Sequence, residues 1–227
     1  MIDVDLQELG LRDLNRRLKN GSDGSNETAF RILNPMGAHS IAAGLDAAVQ
    51  VAVAGHAGFY CGGMNKHAEI VIEGHAGPGV AENMMSGSVR VTGNASQMAG
   101  ASGHGGLLVI EGDASSRCGI SMKGIDIVVG GSVGHMSAFM AQSGHLVVCG
   151  DAGEGLGDSI YEAVLFVRGE ADNLGADCIE KEMRPEHLET LAGLLAQARI
   201  DADPQVFRRY GSARALYHFN VDHAGAY

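Results

Sequence analysis

Short apolar runs recur along this chain at a constant spacing, and each run ends shortly before a glycine. Within every run, the positions two and four residues before the glycine hold only Val, Ile or Leu. Positions of equal parity lie on one face of a β-strand, so the pattern predicts a series of strands with one buried face each. A fixed period near 20 residues with one strand per period is typical of a solenoid. The seven glycines are 19 residues apart: Gly55, Gly74, Gly93, Gly112, Gly131, Gly150 and Gly169.

Small side chains also recur at fixed places, which indicates two tight corners in each repeat. Six of seven repeats carry Ala two residues after the glycine, and all carry Gly or Ala seven residues after it. Leucine-rich and calcium-binding nonapeptide repeats do not fit, because their motifs are absent, and 19 is not a multiple of a hexapeptide period. We predict an all-β solenoid over residues 46–176, a single-stranded, right-handed parallel β-helix of about seven 19-residue turns.

The N-terminal segment is predicted to cap this solenoid, because an open end would expose the core and an unpaired strand edge. Residues 1–45 would contain a short amphipathic helix carrying Leu11, Leu14 and Leu18, then a polar loop. Phe30 and Ile32 would belong to a degenerate first turn. The first residues lack a basic region followed by a long apolar run, so no signal peptide is predicted.

The C-terminal segment, residues 177–227, is predicted to be a helical extension ending in a docking tail. Pro185 is well placed to begin one helix, and a second short helix is expected over residues 204–210. The last residues are aromatic and rich in His, groups suited to anchoring at interfaces, and we expect them to contact a partner. They are Tyr217, His218, Phe219, His223 and Tyr227.

One outward-facing position is as apolar as the core. Three residues before the glycine, six of seven repeats carry an apolar side chain, including Val109, Val128, Val147 and Phe166. A strand that is apolar on both faces is normally buried on both. Either the chain's own helix from Pro185 or another subunit would cover this outer column. We expect it to form an interface together with Met136, Phe139 and Met140.

Charge and cysteine content limit the classes of partner and the cellular compartment that fit this chain. The net charge of −11 argues against nucleic acid and anionic membranes as partners. Residues 127–150 contain no charged side chain, but their glycines and histidines and the unbroken repeat favour two solenoid turns over a membrane span. The four cysteines form no Cys-x-x-Cys pair, and Cys61 and Cys118 are three turns apart, so reduced thiols and a cytoplasmic location are expected.

Candidate chemistry is sparse. The position after each repeat glycine is mostly polar, and His56 and His75 would lie on adjacent turns there, as two ligands of a zinc or iron site. No convincing third ligand accompanies them, so a solvated polar corner is the favoured interpretation. The Gly-rich segments lack the strand–loop–helix context and the Lys of a phosphate loop, and no nucleophile motif is present. We therefore predict no catalytic, cofactor-binding or metal-binding residue in this chain.

Four longer segments carry a resemblance to a known family. They are residues 77–87 (GPGVAENMMSG), 118–131 (CGISMKGIDIVVGG), 207–214 (FRRYGSAR) and 222–227 (DHAGAY). With the glycine frame, they resemble the C-terminal β-helix domain of the glutamate synthase large subunit, the GXGXG family. Stand-alone versions are more similar still, notably the small subunit of N-methylglutamate synthase and its three-subunit relatives. The resemblance extends over essentially the whole chain.

The resemblance implies a non-catalytic scaffold subunit in a hetero-oligomer. Its implied partners are a class II amidotransferase-like subunit with an N-terminal Cys nucleophile and a subunit that carries FMN and iron–sulfur clusters. The implied overall reaction converts methylamine and glutamate to N-methylglutamate and ammonia. The alternatives are a complex that forms glutamate from glutamine and 2-oxoglutarate and, in another class, a self-assembling β-solenoid. No catalytic residue of the family maps onto this chain, which has Ile at position 2.

Overall fold

The computed structural model describes residues 1–20, 28–171 and 173–214. It is a β-solenoid of about seven turns built on one 11-stranded sheet, as the repeat predicts. The strands are β1 (Ile2–Asp5), β2 (Ala29–Leu33), β3 (Gln50–Val53), β4 (Glu69–Ile72), β5 (Ser88–Val91), β6 (Leu107–Ile110), β7 (Lys123–Val129), β8 (Ser143–Val148), β9 (Val164–Val167), β10 (Cys178–Lys181) and β11 (Arg208–Ser212). The helices are α1 (Leu6–Leu9), α2 (Leu11–Asn20) and α3 (Pro185–Ala198), with a 3-10 helix at Pro204–Val206.

Strands β1 to β9 pair in parallel, each with the next, and the register between β3 and β9 follows the sequence period. Val51 pairs with Ile70, Ile70 with Val89 and Val89 with Leu108. The fourteen Val, Ile and Leu residues two and four positions before the glycines are at most 2% exposed. The predicted inward face is therefore confirmed, and it forms a continuous core along the solenoid.

Two corners of each turn use small residues for different reasons. Two residues after the repeat glycine, parallel bridges join Ala57 to Ala76 and continue along the stack. Seven residues after it, the backbone is left-handed on six of the seven turns, as at Gly100 (φ 67°) and Ala138 (φ 54°). Side chains rarely adopt that conformation, and a Cβ on Gly100 would lie 2.5 Å from Ile127 Cδ1. Larger residues such as Tyr60 and Arg117 adopt left-handed φ elsewhere on the turns, so the lack of space, more than backbone conformation, restricts this corner to Gly or Ala.

The N-terminal cap contains one more strand than predicted. Helix α2 carries Leu14 and Leu18 into the core, and β2 carries Phe30 and Ile32, as expected. In addition, β1 pairs in parallel with β2 and extends the sheet at this end. Asp5 accepts a hydrogen bond from the Gln7 N–H (2.9 Å) and caps α1, so the chain passes directly from the edge strand into the cap helices.

The C-terminal segment corrects one prediction. Helix α3 begins at Pro185 as expected. The prediction of a second helix over residues 204–210 is wrong, because only a 3-10 turn forms at Pro204–Val206. After the 3-10 turn, β11 enters the sheet antiparallel between β9 and β10. Tyr210 on β11 is 2% exposed and belongs to the main core. No helix in the part of the chain that the structure describes is long and apolar enough to cross a membrane.

Candidate functional site

The polar side chains after the repeat glycines form a hydrogen-bonded series that we call the polar ladder. At each step, the side chain accepts a hydrogen bond from the backbone N–H of the ladder residue one turn later, over 2.8–3.0 Å. The acceptors differ in type (imidazole Nδ1, amide and carboxylate oxygens, a hydroxyl), but each lies only two or three bonds from Cα. The ladder residues are His56, His75, Asn94, Asp113, Ser132, Asp151 and Glu170.

The polar ladder explains the glycine period. From Gly74 to Gly169, a Cβ on the repeat glycine would lie 2.1–2.7 Å from the ladder acceptor one turn earlier. Real Cβ contacts are not this short, so a side chain there would displace the acceptor. Of the seven repeat glycines, Gly55 and Gly74 alone have φ in the left-handed region. Space for the neighbouring turn's acceptor, more than backbone conformation, therefore requires glycine at this position.

The structure brings His56 and His75 together, with ring centroids 4.9 Å apart and planes 13° from parallel. Both Nδ1 atoms accept backbone N–H groups, which assigns the proton of each neutral ring to Nε2. The described residues contain no group of three His, Cys, Asp or Glu side chains arranged around a common metal position. The two imidazoles therefore have a structural use between turns, which accounts for their adjacency.

The outer column is covered from within the chain. Val109, Val128, Val147 and Phe166 are at most 2% exposed, beneath the apolar face of α3. The helix contributes Leu191, Leu194, Leu195 and Ala198 to this second core, and Phe207 joins them. Of the two coverings that the sequence left open, the intrachain one is observed. The expectation that these four residues form a partner interface is corrected, because α3 already removes them from solvent.

Arg90 interrupts the outer column and marks where its cover ends. Its guanidinium donates from Nη2 to the Ala198 carbonyl (2.9 Å) and pairs through Nη1 with Glu111 (3.0 Å). Cationic groups at a helix C-terminus satisfy free carbonyls and interact favourably with the helix dipole. The single charge in an otherwise apolar position was visible in the sequence, but its partner was not.

The four cysteines are buried free thiols. Burial raises the pKa of Cys61 and Cys118 to about 12 and that of Cys178 to about 11. Burial also raises the pKa of Cys149, which lies under α3. Thiolates are the reactive form, so these thiols are poor nucleophiles at neutral pH.

The sequence analysis did not predict a second pair of polar side chains, because neither residue stands out alone. His145 Nδ1 lies 2.7 Å from Asp126 Oδ1, and the His145 ring stacks near Phe166, with centroids 6.3 Å apart. The two residues are 19 positions apart, so the period could have identified them as neighbours on β7 and β8. The pair lies beside the register shift between Lys123 and Asp126, where it fastens the two strands together.

The exposed apolar side chains lie mainly along one side of the solenoid, which we call the flank, four to eleven residues after the repeat glycine. Met140 is 50% exposed, while Met136 and Phe139 are half-buried. An open groove of about 640 Å³ contains Met140 and Tyr161. Further exposed members in the early turns are Phe59, Met64 and Met85. Tyr217, His218, Phe219, His223 and Tyr227, predicted to dock onto a partner, lie outside the described residues.

Comparison with known proteins identifies a relative over the whole chain. Protein GlxC of Rhizobium meliloti (strain 1021) is 64% identical over 225 residues, which cover 99% of each protein. No family model matches the chain, and no solved structure matches it. Identity at this level over full length is enough to establish common family membership, and the chain therefore belongs to the family of protein GlxC.

Proposed function

We propose that this chain is a non-catalytic scaffold subunit of a glutamate-synthase-type complex. The observation that carries the proposal is a contrast between polar side chains that are bonded between turns and large apolar side chains that are left exposed. The regularly repeated polar groups bind neighbouring turns through the polar ladder, whereas large apolar side chains remain exposed on the flank. Exposed Met and aromatic groups on a rigid support suit a protein that binds other proteins.

The resemblance of the four long sequence segments supplies the class of complex. Its partners would be an amidotransferase-like subunit and a subunit that carries FMN and iron–sulfur clusters, in the cytoplasm. The reaction we propose is methylamine plus glutamate giving N-methylglutamate plus ammonia, in which one amine replaces another. The chemistry resides on the partners, and this chain holds them at a fixed separation.

Contact with the partners is proposed at the early turns of the flank. Phe59 and Met64 are each 47% exposed and lie in one turn, and Met85, 44% exposed, lies in the next. Phe59 also packs against Tyr60 and His39, with centroids 5.6 and 5.9 Å apart, so its ring is held in place in a small aromatic cluster. Rigid aromatic anchors of this kind are typical of binding hot spots.

The test is purification of the tagged full-length chain from its native host. We expect co-purification of a subunit with flavin absorbance and stoichiometric iron, together with an amidotransferase-like subunit identified by mass spectrometry. The recovered complex should convert isotope-labelled methylamine to N-methylglutamate. Recovery of the chain with no flavin- or iron-bearing partner would refute the scaffold proposal. Activity only with glutamine, 2-oxoglutarate and an electron donor would change the reaction and retain the scaffold.

A variant matched to the repeat locates the contact. Phe59→Gln, Met64→Ser and Met85→Gln introduce residues that the same positions carry on later turns, namely Gln97, Ser102 and Gln142. The combined variant should therefore fold normally, as judged by circular dichroism, but recover less partner. Undiminished recovery would remove this surface from the interface.

A further inference from the structure

The charge of the flank changes sign across three successive turns. The turn after Gly112 carries Arg117 and Lys123 and no acidic residue between them. The turn after Gly131 carries no charge on the flank, and the turn after Gly150 carries Glu154, Asp158 and Glu162. A basic turn and an acidic turn thus lie on either side of an uncharged one. Neighbouring turns are separated by about 4.8 Å, so all three belong to one contiguous surface.

The uncharged turn is the apolar centre of this surface. Met140 is 50% exposed, and Met136 and Phe139 are half-buried beside it. Tyr161, 56% exposed, extends the apolar area toward the acidic turn and shares a groove with Met140. An apolar centre bordered by charged groups is the usual arrangement of a protein–protein interface.

The charges at the border are available for contacts with another molecule. Arg117, Lys123 and Glu154 are exposed, and their side chains form no hydrogen bond or ion pair with the residues that the structure describes. Asp158, in contrast, already accepts hydrogen bonds from the Ser159 hydroxyl (2.8 Å) and the Ala176 N–H (3.1 Å). Arg117, Lys123 and Glu154 are therefore the charged side chains that can pair across an interface.

The positions of these charges fit a two-fold axis through the uncharged turn. An axis that lies in the interface and runs along this turn exchanges the turns on either side of it and keeps the order of positions within each turn. Arg117 stands 5 residues after its glycine and Glu154 stands 4 after its own, so the two occupy nearly the same position on their turns. Rotation brings Arg117 of one copy opposite Glu154 of the other, twice. Lys123 faces the acidic turn in the same way.

We propose that the flank around Phe139 binds a second copy of this chain in a two-fold symmetric dimer. A surface that is complementary to itself after rotation is the requirement for an isologous interface. The symmetry of the charges about the apolar turn favours a second copy over an unrelated protein, which would need no such symmetry. The dimer goes beyond the scaffold function and leaves Phe59, Met64 and Met85 outside the proposed contact.

Sedimentation equilibrium of the purified full-length chain tests the proposal, with charge reversals as the central variants. Arg117→Glu and Glu154→Arg should each weaken dimerisation about tenfold, since each reversal creates two like-charge pairs in the dimer. The double variant restores both pairs with exchanged signs and should dimerise nearly as well as the wild type. Glu180→Lys, an exposed reversal on β10, is the control for net charge and should leave dimerisation unchanged.

Met140→Ser tests the apolar centre without endangering the fold. Met140 has φ 54°, and Ser121 and Ser159 occupy the same position on the neighbouring turns with φ 53° and 57°. We expect a normal circular dichroism spectrum and a weakened dimer. A wild-type chain that stays monomeric would overturn the proposal. So would a dimer that is insensitive to Met140→Ser, or a double charge variant as weak as either single one.

Discussion

Replacing Gly131 by Ala perturbs the polar ladder at a single point. The added Cβ would lie 2.1 Å from Asp113 Oδ1, which accepts a hydrogen bond from the Ser132 N–H over 2.8 Å. It would also lie 3.0 Å from the carbonyl group of Gly112, a contact that a small shift can accommodate. The Asp113 side chain must therefore rotate away, and the Ser132 N–H loses its charged acceptor.

The expected cost is about 2 kcal/mol of unfolding free energy. A hydrogen bond to a charged group contributes roughly 1.5–3 kcal/mol, and solvent at this exposed corner lowers that figure. The crowding against Gly112 adds a cost of roughly 1 kcal/mol, the low end of overpacking. In an Asp113→Ala background the acceptor is already gone, so Gly131→Ala should then cost only about 1 kcal/mol. Residues that share a contact are expected to be non-additive in this way.

Chemical denaturation followed by circular dichroism measures these differences, and α3 supplies the control. Gly193 lies within that helix, and apart from the backbone of the helix itself no atom lies within 4 Å of an added Cβ. Gly193→Ala should stabilise the chain by about 0.5–1 kcal/mol, because Ala is the better helix former. Gly150→Ala should cost more than Gly131→Ala, since its Cβ would lie 2.7 and 2.8 Å from Gly131 backbone atoms. A Gly131→Ala variant as stable as wild type, or additivity with Asp113→Ala, would refute the explanation of the glycine period.

Three further predictions concern other parts of the molecule. Burial raises the pKa of Cys118 from 9.0 to about 12, so unfolding free energy should fall as pH rises from 9 toward 12. Cys118→Ala, which copies Ala99 one turn earlier, should reduce that slope in denaturation at several pH values. Arg90→Val should cost about 1 kcal/mol and speed amide hydrogen exchange in the last turn of α3, because the Ala198 carbonyl loses its donor; unchanged exchange would contradict this. Burial, chiefly, lowers the pKa of His187, whose Nδ1 accepts the Arg184 N–H at the start of α3. The stabilisation is present above its ordinary pKa of 6.5 and is lost as pH falls through the lowered value, so the protection factors of the first-turn amides, which correct for the intrinsic exchange rate at each pH, should fall in acid; His187→Gln, which keeps an acceptor, should abolish that pH dependence.

The sequence alone determined the solenoid, because the repeat is encoded locally. The spacing of Val91 and Ile110 from their glycines sets the strand direction, the inward face and the register together. Every turn has the same spacing, so the same pairing recurs along the stack. Helices α2 and α3 could likewise be predicted, since amphipathic spacing and a proline at the helix start act over a few residues. The exposed methionines of the flank were also visible in the sequence, as a turn without charge.

The tertiary structure decided everything that depends on a partner distant in the chain. Strand β11 has no alternating pattern of its own, and it becomes a strand because the edges of β9 and β10 supply its hydrogen bonds. From the sequence, the apolar residues of the outer column indicate only that something covers them. The structure shows that α3 is the cover, and Arg90 contacts its last residue, Ala198, which is 108 positions later in the chain. The repeat glycines were visible in the sequence, but the reason for them was not, because the hydrogen-bond acceptors of the polar ladder that occupy the space beside each glycine belong to the preceding turn. Contacts across turns arise only once the chain is coiled, and in this protein they determine which polar side chains are structural and which surface remains for binding.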